Sequence, residues 1–181
     1  QIFEKELIDS KKDCDEHNYV SKFINEVLPS VCQSFSSSKR AIVKLISIQH
    51  ICEFFEGELK EGVTDAELIA KLHPTPAVGV YPKDAFDLEA FNSLERFQRG
   101  WFASPVGFIG NQETELVVGI RACLLSERQV TLFSGAGLVS DSNFIEEWEE
   151  VEHKTLSILE SVGLKDAVAS ATQSRRYRIY S

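Results

Sequence analysis

GWFASPVGFIGNQETELVVGIRACLLSERQVTLFSGAGLV, residues 100–139, decides the fold class. It holds three strand-like runs, GWFASPVGFIG, TELVVGIRACLL and QVTLFSGAGLV, joined by the short polar connections GNQE and SERQ. Connections this short can only return the chain antiparallel, so the stretch predicts hairpins. Working upstream, PKDAFDLEAFNSLERF (82–97) reads as a helix with Pro82 near its first turn. TDAELIAKL (64–72) reads as a short helix opened by a Thr64-x-x-Glu67 capping box. The segment between them, LHPTPAVGV (72–80), is too apolar for a linker and reads as a stiff, ordered turn.

Further upstream, AIVKLISIQHICEFFEGEL (41–59) is rich in β-branched and aromatic residues and predicts one or two strands, preceded by a loop at SFSSSKR (34–40). Residues 1–29 predict a long amphipathic helix, with Val20, Phe23, Ile24, Val27 and Leu28 at helical spacing and Pro29 as its end. Downstream, a last helix is predicted from about Asn143 to Gly163, with Glu146 completing a second capping box. Helices flanking a mostly antiparallel, hairpin-connected sheet make an α+β layout.

The chain of 181 residues is long enough to bury a core as one domain, with 43% hydrophobic and 26% charged residues. A net charge of −9 argues against a nucleic-acid partner, since the one basic cluster, SRRYRI, lies in the tail. No apolar run has membrane-spanning length and no signal peptide opens the chain. Cys14, Cys32, Cys52 and Cys123 have no CxxC spacing, which predicts reduced thiols and a cytoplasmic location. The chain starts at Gln1 and contains no methionine, so it reads as a processed or engineered product or as a piece of something longer.

Three features sit where a core does not want them. Glu16 shares the apolar stripe of the first helix, with Asp13 one turn earlier. Two readings stand: a solvated carboxylate near a helix end, or a ligand for a cation in a cleft. In EEWEEVEHK (146–154), Glu147, Glu150 and Lys154 share one helix face. That is either a solvated acidic face with an i,i+4 pair or a source of oxygen ligands for Mg²⁺. Arg121 interrupts the apolar run LVVGIRACLL, and a buried guanidinium needs either a structural acid or an anionic ligand. The neighbouring Gly135-Ala136-Gly137 would let backbone N–H groups approach an anion.

Seven ordered blocks carry a family resemblance: ELIDSKKDCDEH, ISIQH, LHPTPAVGVYP, RGWFASPVGF, VGIRACLL, LFSGAGLV and EEWEEVEHK. They resemble the C-terminal part of a chorismate-utilising enzyme of the anthranilate synthase component I type, and most of all an isochorismate synthase. The resemblance implies that residues 1–181 are the C-terminal portion of a chorismate-binding domain whose N-terminal portion is absent. It implies two sheets and surrounding helices enclosing a cleft, in which one Mg²⁺ holds the ring carboxylate of chorismate. By matched position, Glu16 and Glu150 would ligate the metal, with Glu147 and Asp13 supporting it or its waters. Arg121 and the N–H of Gly135 would hold the enolpyruvyl carboxylate. His50 would face the ring, and Lys154 would lie close to the carboxylates.

The resemblance also gives the 72–80 turn a purpose, as a wall of the substrate pocket. Ala77 matches isochorismate synthases, whereas lyase-competent relatives tend to carry Thr at that position. A small apolar side chain leaves room for the attacking water without hydrogen-bonding the enolpyruvyl group. The implied reaction is addition of water at C2 of chorismate with departure of the C4 hydroxyl, serving menaquinone, siderophore or salicylate formation. It needs a general base and a general acid, which the family supplies from a lysine and a glutamate in its N-terminal half; no counterpart is found here. Val80, Ser104 and Phe102 depart from residues frequent in the family, and Phe102 in place of Tyr removes a hydroxyl contact to the substrate. The alternatives are a salicylate or anthranilate synthase-type lyase, or a truncated relative that binds chorismate without turnover. A chain lacking half of a two-sheet fold would also expose apolar surface open to self-association.

Overall fold

The computed structural model describes residues 10–44, 49–85, 93–95, 97–127 and 129–164. They fall into two compact units, Gln1–Ala85 with Gly137–Asp141, and Phe86–Ala136 with Ser142–Ser181.

The first unit is organised by helix α1, Lys11–Val31. Ser10 caps it, its hydroxyl accepting the Asp13 N–H, and Asp13 sits in the first turn, where a negative charge favours the helix dipole. The expected stripe turns inward: Phe23 and Leu28 are buried, and Val20, Ile24 and Val27 are half-buried. Pro29 does not end the helix as expected. It lies in the last turn, and the helix runs on to Val31. Its end carbonyls are served by Lys60, whose Nζ donates to the Pro29 and Ser30 carbonyls at 2.7 and 3.3 Å and whose N–H donates to the Val31 carbonyl at 2.8 Å, and by the Cys32 N–H, which donates to the Leu28 carbonyl. The expected helical residues 1–9 lie outside the described residues.

Strands β1 (Cys32–Ser37), β2 (Ala41–Lys44), β3 (Gln49–Cys52) and β4 (Phe55–Leu59) follow. The segment expected as a loop, 34–40, is largely strand: β1 pairs antiparallel with β4, and β2 pairs with β3 inside it. The nested registers, Ser37 opposite Phe55 and Ala41 opposite Cys52, make one long interrupted ribbon. At the interruption the Ser38 N–H donates to the Phe54 carbonyl at 2.8 Å, and the Phe54 N–H donates to the Ser38 hydroxyl at 3.0 Å. Val31, Leu28 and Cys32 form the core, packed against Ile24, Phe55, Val63 and Leu68. Each such side chain contributes about 1.5–3 kcal/mol on burial.

Helix α2, Asp65–Leu72, starts as its capping box predicts, with the Thr64 hydroxyl accepting the Glu67 N–H at 3.2 Å. None of its residues is fully buried, so the cap carries a large share of its stability. Thr64→Ala is expected to cost about 1 kcal/mol, read as a lower urea midpoint with an unchanged slope; an unchanged midpoint would contradict it. A 3-10 turn at Lys83–Ala85 follows, and most of the helix expected over 82–97 lies outside the described residues.

In the second unit, β5 (Pro105–Ile109) pairs with β6 (Thr114–Val118), and β7 (Ala122–Ser126) pairs with β8 (Gln129–Phe133), both antiparallel. Both hairpin loops fall where their polar connections predict, after Ile109 opposite Thr114 and after Ser126 opposite Gln129. TELVVGIRACLL is not one strand, however. It breaks at Gly119–Arg121 into β6 and β7, and the described strands form separate two-stranded ladders, not one sheet. Helix α3, Phe144–Ser161, closes the unit. Asn143 caps it through the Ile145 N–H at 2.9 Å, one position short of the expected bond to Glu146. No described helix is long and apolar enough to cross a membrane.

Candidate active site

Helix α3 faces the wrong way for an ordinary amphipathic helix. Its protected side is Glu147, Glu150, Val151, Lys154, Thr155 and Ile158, at spacings of three and four. Glu147 is only 5% exposed, whereas Trp148, Ile145 and Phe144 are 41%, 65% and 81% exposed. The solvated-acid reading is therefore overturned for Glu147. Burying a carboxylate while exposing aromatic side chains opposes the hydrophobic effect and marks the protected side of α3 as a candidate functional face.

The side chains beside Glu147 are tethered in sequence. Lys154 Nζ lies 2.5 Å from Glu150 Oε1 and donates to the Gly135 carbonyl at 3.0 Å. Ser134, just after β8, donates its hydroxyl to the Val151 carbonyl at 3.2 Å. The Arg121 guanidinium donates to the Ser157 hydroxyl at 2.8 Å, and that hydroxyl donates to the Lys154 carbonyl at 2.8 Å. Arg121 is exposed at the β6–β7 break, so the expectation of a buried guanidinium in a continuous strand is corrected. The break is what frees it from the ladder and lets it reach α3.

Phe102 is half-buried with its ring stacked on Phe133, centroids 5.8 Å apart. Ala103 beside it is buried with φ 61°, in the left-handed region that costs a non-glycine residue about 1–2 kcal/mol. Its N–H donates to the Gly119 carbonyl at 2.9 Å, which holds the kink that turns Phe102 toward Phe133 and Gly135. The structure thus brings together Phe102, Arg121, Gly135, Glu147, Glu150 and Lys154 within the second unit. The Gly135 carbonyl accepts from Lys154.

Glu16, His50 and Ala77 belong to the first unit. Glu16 Oε1 pairs with Lys12 at 3.3 Å, and its carboxylate lies against Gly137. Its neighbour His17 lies 3.5 Å from Glu53, both largely buried. Burial holds the His17 imidazole below its ordinary pKa, helped by the Arg40 charge and opposed by Glu53. His50 is exposed on β3, opposite Val43. Ala77 is exposed in a turn closed by the Val78 N–H to the Thr75 carbonyl at 3.1 Å. That segment is pinned to α1: the Tyr81 hydroxyl donates to Glu26 at 2.9 Å, and Lys83 Nζ lies 4.7 Å above the Phe23 ring. Burial lowers the pKa of His73, assisted by Lys83, and burial lowers that of Lys83 itself.

Among the described residues no group of three or more His, Cys, Asp or Glu side chains is gathered as a metal site. The donor chemistry fits a small hard cation all the same. Mg²⁺ takes oxygen ligands, commonly one or two carboxylates with waters. Within the second unit, Glu147 and Glu150 share the protected face of α3; within the first, taken by itself, the Glu16 carboxylate occupies a cradle that a side chain at position 137 would fill. Residues missed from sequence are Ser134 and Ser157, whose hydroxyls carry no signal in a single chain. Gly137, the second glycine of SGAG, is the other; the family resemblance implies a contact for Gly135 alone.

The isochorismate synthase MenF of Bacillus subtilis (strain 168) is 34% identical over 160 residues, 87% of this chain and 34% of its own length. The isochorismate synthase DhbC of the same organism is 35% identical over 88% of this chain and 40% of its own length. Isochorismate synthase 2, chloroplastic, of Arabidopsis thaliana is 34% identical over 91% of this chain and 30% of its own length. The chain therefore spans 30% to 40% of these relatives' own length. A crystal structure described as a 2,3-dihydroxybenzoate-specific isochorismate synthase, DhbC of Bacillus anthracis, superposes with a TM-score of 0.78 at 31% identity. It covers 88% of this chain and 43% of that one. Residues 1–163 match the family described as chorismate binding enzyme, and the chain belongs to that family.

Proposed function

We propose that this chain supplies the chorismate- and Mg²⁺-binding part of an isochorismate synthase, acting in the cytoplasm on chorismate as its small-molecule substrate. The observation that carries the reading is the inverted face of α3, with buried Glu147 beside the tethered pair Glu150 and Lys154. Membership of the chorismate-binding family and the similarity to isochorismate synthases support it. In this reading residues 1–181 are the C-terminal portion of the domain.

Glu16, Glu147 and Glu150 hold the cation, with Asp13 in support. When bound, Mg²⁺ supplies positive charge that offsets and orients the ring carboxylate of the substrate. Lys154, fixed by Glu150 and the Gly135 carbonyl, adds a second positive charge near the same carboxylates. Arg121 offers a planar guanidinium to the enolpyruvyl carboxylate, and its exposure leaves donors free of the Ser157 contact. The Gly135 N–H assists it, and the Phe102 ring, locked on Phe133, walls the same region. His50 faces the substrate ring. Ala77 leaves space for the water that attacks C2. The base for that water and the acid for the departing C4 hydroxyl have no counterpart among residues 1–181, so they come from elsewhere in the working enzyme.

The test is to incubate the chain with chorismate, with and without Mg²⁺, following thermal protection and separating products by chromatography. Mg²⁺-dependent protection without turnover is expected. Isochorismate would show that acid and base reside in this chain. Pyruvate or salicylate would replace the reading with a lyase, and protection that ignores Mg²⁺ would remove the metal. In a turnover-competent protein, Ala77→Thr is expected to raise the pyruvate share of the products several-fold by crowding the water and hydrogen-bonding the enolpyruvyl group. An unchanged product ratio would leave the turn with a structural role only.

A further inference from the structure

We infer that Gly137 is a positioning residue for Glu16, keeping its carboxylate where a cation can be held; this rests on the Mg²⁺ reading above. A Cβ built at position 137 would lie 3.0 Å from Glu16 Oε2, 3.1 Å from its Cδ and 3.4 Å from its Oε1. Three nearly equal distances mean that a methyl group would cover the flat head of the carboxylate. All three nearest atoms belong to one flexible side chain and none to backbone. The fold can absorb an alanine at 137 by moving Glu16 a few tenths of an ångström, and that movement is what a metal ligand cannot tolerate.

Two further contacts fix the arrangement. Residues 137–141 are tied to the start of α1 by an ion pair between Lys11 and Asp141, which raises the pKa of Lys11 and lowers that of Asp141. Lys12, one turn before Glu16, holds Oε1 at 3.3 Å, so the carboxylate cannot swing freely away from position 137. The irregular segment after β8 thereby sets the position of an acid on a helix more than a hundred residues earlier in the chain. Gly137 contributes by having no side chain, a role that its neighbour Gly135, whose nearest potential contact is a Phe102 ring atom at 3.9 Å, does not share.

The test titrates Mg²⁺ into the chain with chorismate present, by calorimetry and by thermal shift, for wild type, Gly137→Ala, Glu16→Gln and the double variant. Gly137→Ala is expected to weaken Mg²⁺ binding about 10-fold, the usual effect of disturbing a residue that orients a ligand, with its metal-free melting temperature unchanged. In the Glu16→Gln background the same change should have no further effect, because the effect passes through Glu16. Equal Mg²⁺ affinity of Gly137→Ala and wild type would overturn the inference while leaving the metal reading intact. So would loss of fold in metal-free Gly137→Ala, or an effect that persists with Glu16→Gln. A wild type that takes up no Mg²⁺ would overturn both.

Discussion

Glu150→Gln is expected to remove Mg²⁺-dependent protection by chorismate while leaving the chain folded. The two halves of that expectation have different physical sources. Glu150 and Lys154 form an i,i+4 pair with side chains about a third exposed, 36% and 30%, and such pairs are worth only about 0.3–0.5 kcal/mol. Lys154 also keeps its bond to the Gly135 carbonyl after the substitution, so the link between α3 and the segment after β8 survives. A carboxylate that ligates Mg²⁺ contributes far more. Glutamine keeps the shape but loses the charge, and about 100-fold or more in metal affinity is expected to go, which is about 2.7 kcal/mol. The measurement is a Mg²⁺ titration of the thermal midpoint at fixed chorismate. Wild-type protection in Glu150→Gln would sink its assignment as a ligand, whereas a collapse of the metal-free midpoint would mean the pair is a fold contact.

Gly107→Ala is expected to give the largest loss of stability, about 4 kcal/mol or more, with the β5–β6 hairpin opened. Gly107 lies opposite Leu116, and a Cβ at 107 would fall 1.9 Å from the Glu115 carbonyl oxygen. The next nearest atoms, Glu115 C and Leu116 Cα, are also backbone. No rotamer change can relieve such a clash, so the ladder itself must move apart. This contrasts with Gly137, where the obstructed atoms sit at the end of a flexible side chain. Urea unfolding followed by circular dichroism, with hydrogen exchange at Val106, Phe108 and Leu116, would read the effect. A wild-type midpoint with protected amides at those positions would show that the two strands are not in the register described.

Which parts of the fold were legible followed the range of the interactions involved. The Thr64 cap, the stripe from Val20 to Leu28 and the two hairpin loops around β5 to β8 depend on residues within a turn or two of one another. Where legibility failed, a distant partner decided. SFSSSKR looks like a loop because its side chains are small and polar, yet its backbone pairs with β4 some twenty residues later. Pro29 should stop a helix, but Lys60, just after β4, serves the carbonyls of that last turn. Arg121 looked buried because its neighbours are apolar, and the break at Gly119–Arg121 carries it into the open.

The candidate site divides in the same way. The sequence alone determined which residue types are present and in what order: acids at 16, 147 and 150, a lysine at 154, an arginine at 121 and a glycine pair at 135 and 137. Helical spacing put Glu147, Glu150 and Lys154 on one face, but an acidic face turned outward and one turned inward have the same spacing. Only the tertiary structure decided that this face is the protected one, that Trp148 and Phe144 point away from it, and that Gly137 makes room for Glu16. The physical reason is that burial belongs to the surroundings of a side chain, and those are set by chain segments far away in sequence.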